Sequence, residues 1–143
     1  MTKPLNVERS IWINAPRERV WQAITTTDGL HSWWGHDYWE ITALEVGALI
    51  KFGKADDPIL AAVEVVDPPH QFTIKWPVIL PHNTIPKFTT YLLTEEKDGT
   101  RVTVTETGFE VLPDEVRQTR FDRTAQGYNT VLSSLKTYLE MGA

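Results

Sequence analysis

The C-terminal part of the chain carries an apolar stripe that predicts one long helix, roughly from Pro113 to Glu140. Its members step by three or four residues, the spacing of one helix face: Phe121, Ala125, Tyr128, Leu132, Leu135 and Leu139. About 24 helical residues span about 36 Å, whereas a domain of 143 residues has a radius of gyration near 14–15 Å. The helix must therefore cross the whole molecule, and the rest of the chain has to pack along it.

The middle of the chain has the two-residue period of β-strands, with short turns between the apolar runs. Predicted strands cover 38–44, 48–52, 59–66, 71–76, 87–94 and 101–107. The last two flank Asp98-Gly99, a dipeptide typical of a tight hairpin. Short strands joined by tight turns favour an antiparallel meander.

The first forty residues supply a strand and two short helices. The strand covers 5–13, and a first helix begins at Pro16, whose missing N–H is tolerated in a first turn. A second helix opens at Asp28-Gly29-Leu30 and closes at Gly35. The sequence thus predicts a single domain over residues 1–143 with an α+β fold. In this fold a curved antiparallel sheet of six to seven strands wraps around the long C-terminal helix.

Residues 77–86 break the strand pattern. They contain Pro77, Pro81 and Pro86 among apolar side chains, and three prolines in ten positions make a regular central strand improbable. Three interpretations are open: a loop packed on the rim of the core, a lid over a pocket, or a self-association surface.

Composition excludes several classes of protein. A chain without cysteine has no disulfide framework and no thiolate site for metal or catalysis. A net charge of −5 argues against a nucleic-acid partner, and no apolar run is long enough for a membrane span. We therefore expect a cytoplasmic protein.

The predicted architecture leaves space inside the sheet. The second half of the long helix is rich in leucine and can seal against the strands, whereas the first half carries only Phe121, Ala125, Gly127 and Tyr128. A straight helix cannot touch a curved sheet along its full length, so we expect a cavity beside this first half. Gly127 marks a close approach, vacant space or simply a tolerated glycine.

Six motifs, in order along the chain, resemble the family of the activator of heat-shock protein 90 ATPase homologue. They are Ile13-Asn14-Ala15-Pro16 followed by Val20-Trp21; Leu30, Trp33-Trp34-Gly35; Val65, Asp67-Pro68-Pro69; Phe72 to Trp76; Gly99 to Phe109; and Gly127-Tyr128 through Glu140. Three places depart from the family pattern: Tyr128, where tryptophan is commoner; Glu45-Val46-Gly47-Ala48, where a double glycine is common; and residues 77–86. These departures bear on pocket shape.

The resemblance implies the START-like (SRPBCC) helix-grip fold and a deep hydrophobic pocket between sheet and long helix. It does not imply one activity, because relatives bind lipids or polyketides, act as cyclases or assist a chaperone. Aromatic and apolar side chains with few polar groups are the usual lining of a ligand site. The predicted lining is Trp33, Trp34, Phe52, Ile74, Trp76, Glu106, Phe121 and Tyr128.

Glu106 is the polar member of this set. It shares strand parity with Val102 and Val104, so a regular strand aims it inward, whereas an irregular strand end leaves it in solvent. A buried carboxylate needs a partner, and Arg9, Arg123 or a ligand group are the candidates.

The residues show no recognisable catalytic constellation, no metal site and no cofactor motif. No serine lies in a glycine elbow, and His31 and His36 are wrongly spaced for two ligands on one helix face. Three hypotheses remain, in this order: binding of a hydrophobic small molecule, lipid-like or aromatic; an enzyme of cyclase or hydrolase type in the same cavity; and a co-chaperone-like interaction module. A homodimer is left open.

Overall fold

A computed structural model describes residues 6–34, 38–79, 84–109 and 114–141. The strands are β1 (Val7–Ile13), β2 (Tyr38–Ile41), β3 (Leu49–Gly53), β4 (Ile59–Asp67), β5 (Gln71–Ile79), β6 (Thr84–Glu96) and β7 (Gly99–Thr107). The helices are α1 (Arg17–Thr25), α2 (Thr27–Trp33) and α3 (Asp114–Met141). The predicted order of strand, two short helices, strands and long helix is confirmed. Gly35 and Pro113 lie outside the described residues.

The strands form one antiparallel sheet in the order β1-β7-β6-β5-β4-β3-β2. Each strand from β2 to β7 pairs with its neighbour along the chain, and β1 closes onto β7. The apolar stripe of α3 is buried against this sheet, with Leu132, Leu135 and Leu139 each at most 3% exposed. The helix-grip architecture expected from the sequence is therefore present.

The two short helices pack at one side of the sheet. Trp21 of α1 meets Phe72 of β5 edge to face, with ring centroids 6.1 Å apart. The Thr26 hydroxyl accepts the Gly29 N–H at 2.9 Å and caps α2. The run of threonines thus ends α1 and begins α2 at Thr27, one residue earlier than predicted.

The loop expected over residues 77–86 was wrong for 77–79 and 84–86, because both flanking strands extend into this segment. Pro77 pairs with Pro86, and Ile79 with Thr84. The described pairing of β5 with β4 ends at Lys75, and that of β6 with β7 ends at Phe88. Among the described residues, neither strand has a second ladder partner beyond those points, so a proline nitrogen there breaks no described pairing. Residues 80–83 lie outside the described part.

Candidate ligand-binding site

One row of side chains crosses the inner face of five strands and contains Glu106. Register pairs Val7 with Glu106, Glu106 with Thr89, Thr89 with Ile74 and Ile74 with Val63. All five side chains are buried, and Glu106 is only 4% exposed. Regular alternation in β7 therefore places a carboxylate among apolar neighbours on the face that α3 covers.

Glu106 is held by hydroxyl groups from a strand and from the helix. Its Oε1 accepts hydrogen bonds from Tyr128 Oη at 2.6 Å and from Thr89 Oγ1 at 2.7 Å. Tyr128 projects from the first half of α3, which carries few apolar side chains. The helix and the sheet therefore meet here through polar atoms. Each donor is itself buried, which strengthens its interaction with an ionised acceptor.

The cation that compensates Glu106 is Lys87, whose Nζ lies 3.2 Å from Glu106 Oε2. Lys87 lies opposite Trp76, one residue beyond the last paired residue of β6 with β7, and keeps 21% of its side chain exposed. The two arginines named as candidate partners were wrong: Arg9 donates to the Glu8 carbonyl oxygen, and Arg123 is exposed. Sequence alone could not select Lys87, because only the register of β6 against β7 brings it to Glu106.

Burial near this carboxylate raises the pKa of two tyrosines. The pKa of Tyr128 lies well above 10.0, first through desolvation and then through the charges of Tyr91 and Glu106. The pKa of Tyr91 is also raised, by desolvation and by Glu106. Both phenols therefore remain neutral at physiological pH, and Tyr128 remains a hydrogen-bond donor.

An aromatic cluster lies beside this polar network. We define it as Trp34, Trp39, Phe52 and Trp76. Trp39 is its centre, with ring centroids 4.5 Å from Phe52, 5.0 Å from Trp34 and 6.1 Å from Trp76. Trp39 is buried, whereas the other three rings are partly exposed.

Trp76 joins the aromatic cluster to the polar network. Its Nε1 donates to Thr89 Oγ1 at 3.0 Å, and Thr89 in turn donates to Glu106. The parity of Phe72, Ile74 and Trp76 in β5 predicted this inward direction. The predicted wall and the predicted carboxylate are thus neighbours in space.

Two predicted lining residues lie at the periphery of this arrangement. Trp33 is buried, meets Trp34 at 5.2 Å and donates its indole N–H to the Ala23 carbonyl oxygen. It also lines an open groove of about 510 Å³ between α2 and the C-terminal part of α3. Phe121 packs on Phe109, 5.7 Å away.

Sequence reasoning missed Trp39, Lys87, Thr89 and Tyr91. The last three occupy alternate positions of β6, and the apolar Leu93 continues the same series. This alternation would have marked all three as inward-facing. Trp39 carried no such signal, because its position depends on the register of β2 with β3. The functional role of every lining residue remains a prediction.

The described residues contain neither a metal-binding cluster nor a helix able to cross a membrane. No group of three or more histidine, aspartate or glutamate side chains there is arranged to hold a metal ion. No helix in the described part is long and apolar enough to cross a membrane.

The fold and the inner-face site define a START-like helix-grip protein. The chain belongs to the family described as activator of Hsp90 ATPase homolog 1-like protein, which it matches over residues 14–140. No protein among the curated sequences matches it.

Solved structures share this fold over nearly the whole chain. Protein MLL2253 from Mesorhizobium loti has a TM-score of 0.79 at 17% identity, covering 96% of this chain and 98% of that one. The Aha1 dimer from Colwellia psychrerythraea has a TM-score of 0.76 at 25% identity, covering 96% and 97%. Protein BH1534 from Bacillus halodurans has a TM-score of 0.75 at 21% identity, covering 96% and 99%.

Proposed function

We propose that this protein binds a hydrophobic small molecule, lipid-like or aromatic, between the inner face of the sheet and α3. The observation that carries the proposal is the ion pair of the buried Glu106 with the partly exposed Lys87, beside the aromatic cluster. The apolar body of the ligand would rest against the partly exposed rings of Trp34, Phe52 and Trp76. Its polar end would meet Lys87 and Tyr128.

The physical argument concerns what a buried ion pair contributes. Apolar side chains of similar volume commonly give equal or greater stability than a buried ion pair, because both charges lose their hydration. A core that only had to be stable would not need Lys87 and Glu106. A site that orients an amphiphilic molecule needs a few fixed polar groups within an apolar wall.

Titration with oleate and with fluorene, followed by tryptophan emission and calorimetry, tests the proposal. We expect saturable one-to-one binding of at least one probe, with a changed emission, because two tryptophans, Trp34 and Trp76, belong to the proposed wall. Absence of saturable binding of both probes would contradict it.

Two tyrosine variants of α3 locate the site. Tyr128→Phe removes the hydroxyl that would meet the polar end of the ligand. The loss of one hydrogen bond is worth about 1 kcal/mol, or about fivefold in affinity for a probe with a polar end, such as oleate. Tyr138→Phe is the matched control, because Tyr138 is exposed on the same helix. Equal effects of the two substitutions on oleate binding would place the site elsewhere.

A reaction in the same place is the second candidate, favoured by the convergence of Glu106, Tyr128 and Lys87. Proton transfer would then pass through the Glu106 carboxylate, the one acceptor among the ionised groups of this network. For any turnover found, Glu106→Gln should abolish it, because an amide cannot take up the proton. Unchanged turnover would exclude that role.

A protein-interaction role has its own observation. Five exposed apolar side chains lie on or beside β3 and β4: Leu44, Val46, Leu49, Ile59 and Leu60. A co-chaperone or a homodimer would use such a surface. Within residues 77–86, the apolar run Val78 to Leu80 is the contact surface that the sequence predicts for this role, but its side chains lie outside the described set. Leu49→Lys with Leu60→Lys should abolish stimulation of a cognate Hsp90 ATPase, or dimer sedimentation. Wild-type protein without either property would exclude this role.

A further inference from the structure

The indole N–H of Trp39 differs from those of its neighbours. Trp39 is 2% exposed, and its Nε1 has no hydrogen-bond acceptor among the described residues. Trp12, Trp33 and Trp76 each donate, to the Glu96 carbonyl oxygen at 2.6 Å, the Ala23 carbonyl oxygen at 2.8 Å and the Thr89 hydroxyl at 3.0 Å. A buried donor without a partner is rare in folded proteins and calls for an explanation.

An unpaired donor of this kind destabilises the free protein. Leaving a buried polar group unsatisfied costs about 1–3 kcal/mol, and the faces of neighbouring rings are only weak acceptors. Phenylalanine would fill an apolar cluster without that cost. The N–H of Trp39 is therefore poorly explained by packing alone.

The surroundings of Trp39 connect this donor to the proposed ligand site. The rings of Trp34, Phe52 and Trp76 contact Trp39 directly, and each is partly exposed. A single layer of rings therefore covers Trp39 on those sides. Trp76 contacts the Trp39 ring and also donates to Thr89, so one side chain links Trp39 to the Glu106 network.

We propose that the ligand carries a neutral oxygen acceptor, such as a ketone, quinone or ester carbonyl, that accepts the Trp39 indole N–H. This inference rests on the proposed function and specifies the ligand class for that site. Tryptophan can only donate, so its partner must be an acceptor. The rings that contact Trp39 carry no cation, and the nearby Lys87 is already paired with Glu106. A charged oxygen there would lose its hydration without compensation, which favours the neutral form.

Fluorene and 9-fluorenone test this inference, because they share one apolar frame and differ by a carbonyl group. Calorimetric titration gives the ratio of their dissociation constants for wild type and for Trp39→Phe. We expect the relative preference for fluorenone to fall about fivefold or more in Trp39→Phe, the value of one hydrogen bond. Trp33→Phe is the matched control and should keep the wild-type ratio, because its N–H already bonds to Ala23.

Stability measurements separate the two variants further. Trp33→Phe loses a satisfied hydrogen bond and should lower the urea midpoint, whereas Trp39→Phe removes an unsatisfied donor and should lower it less.

A measurement on the wild-type protein does not depend on how the variants fold. In a proton–nitrogen correlation spectrum, the Trp39 indole signal should move downfield with fluorenone and not with fluorene. Binding of both compounds with an unmoved signal and equal ratios in wild type and variant would overturn the inference and leave the proposed function standing. Failure of both compounds and of oleate to bind would overturn both.

Discussion

Glu106 shows how much one residue's position follows from its neighbours along the strand. Parity with Val102 and Val104 aims it at the core, and the observed regular strand places it there. Its partners do not follow from parity. Lys87 and Thr89 belong to another strand and Tyr128 to a helix, so their meeting depends on register and on where α3 lies. A carboxylate in this row is tolerated because all three groups reach it.

Lys87→Met should cost stability because it leaves Glu106 buried without its cation. Breaking a buried pair typically costs about 3–5 kcal/mol; since Lys87 is partly exposed, we expect the low end, about 3 kcal/mol at neutral pH. Lys75→Met is the matched control: Lys75 is exposed in the neighbouring strand, and its loss should stay within about 0.5 kcal/mol. Urea unfolding measures both, and equal losses would contradict the assigned pairing.

The buried tyrosines predict a loss of stability in alkali. Tyr128 and Tyr91 have a pKa raised above 10.0 in the folded protein, so above about pH 10 the unfolded chain releases protons that the folded chain retains. The free energy of unfolding must then fall as pH rises. Tyr128→Phe and Tyr91→Phe should each flatten this fall, measured as urea midpoint against pH. An unchanged slope in both variants would show that these phenols are not buried.

At the scale of elements, strand ends were harder to predict than strand directions. Proline composition indicated a break after Trp76, yet β5 and β6 continue as a two-stranded projection to Ile79 and from Thr84. The rule against proline in central strands applies where both edges are paired. Whether an edge is paired depends on where β4 and β7 end. The sequence of residues 77–86 carries no information about that.

Gly127 in α3 gives a prediction at the element scale. Its position is exposed, and a Cβ built there meets nothing within 4 Å. Of the interpretations left open by the sequence, this agrees with a glycine that packing does not require. Gly127→Ala should raise the free energy of unfolding by up to about 1 kcal/mol through helix propensity. Gly99→Ala is the opposite control, because its Cβ would overlap the Ile13 carbonyl oxygen and lie 2.8 Å from the Trp12 ring. Destabilisation by Gly127→Ala would contradict the open space.

At the scale of the whole molecule, the last helix is tied to the first strand. Glu140 Oε2 accepts from the Asn14 N–H at 2.9 Å and from Lys136 Nζ at 2.6 Å. Lys136 also donates to the Trp12 carbonyl oxygen at 2.8 Å and lies 5.3 Å from the centre of the Trp12 ring. We call these contacts of Lys136 and Glu140 the clasp. They hold the C-terminal part of α3 against the end of β1, so the helix stays packed on the sheet.

The clasp predicts an acid-sensitive share of stability. The Lys136 ammonium and then the Asn14 N–H lower the pKa of Glu140 below 4.5. The contribution of the ionised Glu140 to the free energy of unfolding is therefore present above pH 4.5 and is lost as the pH falls further. Glu140→Gln should therefore be less stable than wild type near neutrality, with the difference shrinking below about pH 4.5. Urea midpoints across this range measure it, and a difference independent of pH would exclude the ionised clasp.

The sequence by itself determined the long helix, the inward parity of the strands and the family, because each is written in spacings of two to four residues or in motifs along the chain. Tertiary structure alone decided that Lys87 compensates Glu106 and that Trp39 is buried among rings. Alternation selects the face on which a side chain lies. Register, strand length and the position of α3 on the sheet select which side chains meet there. All three depend on contacts between residues far apart in the chain.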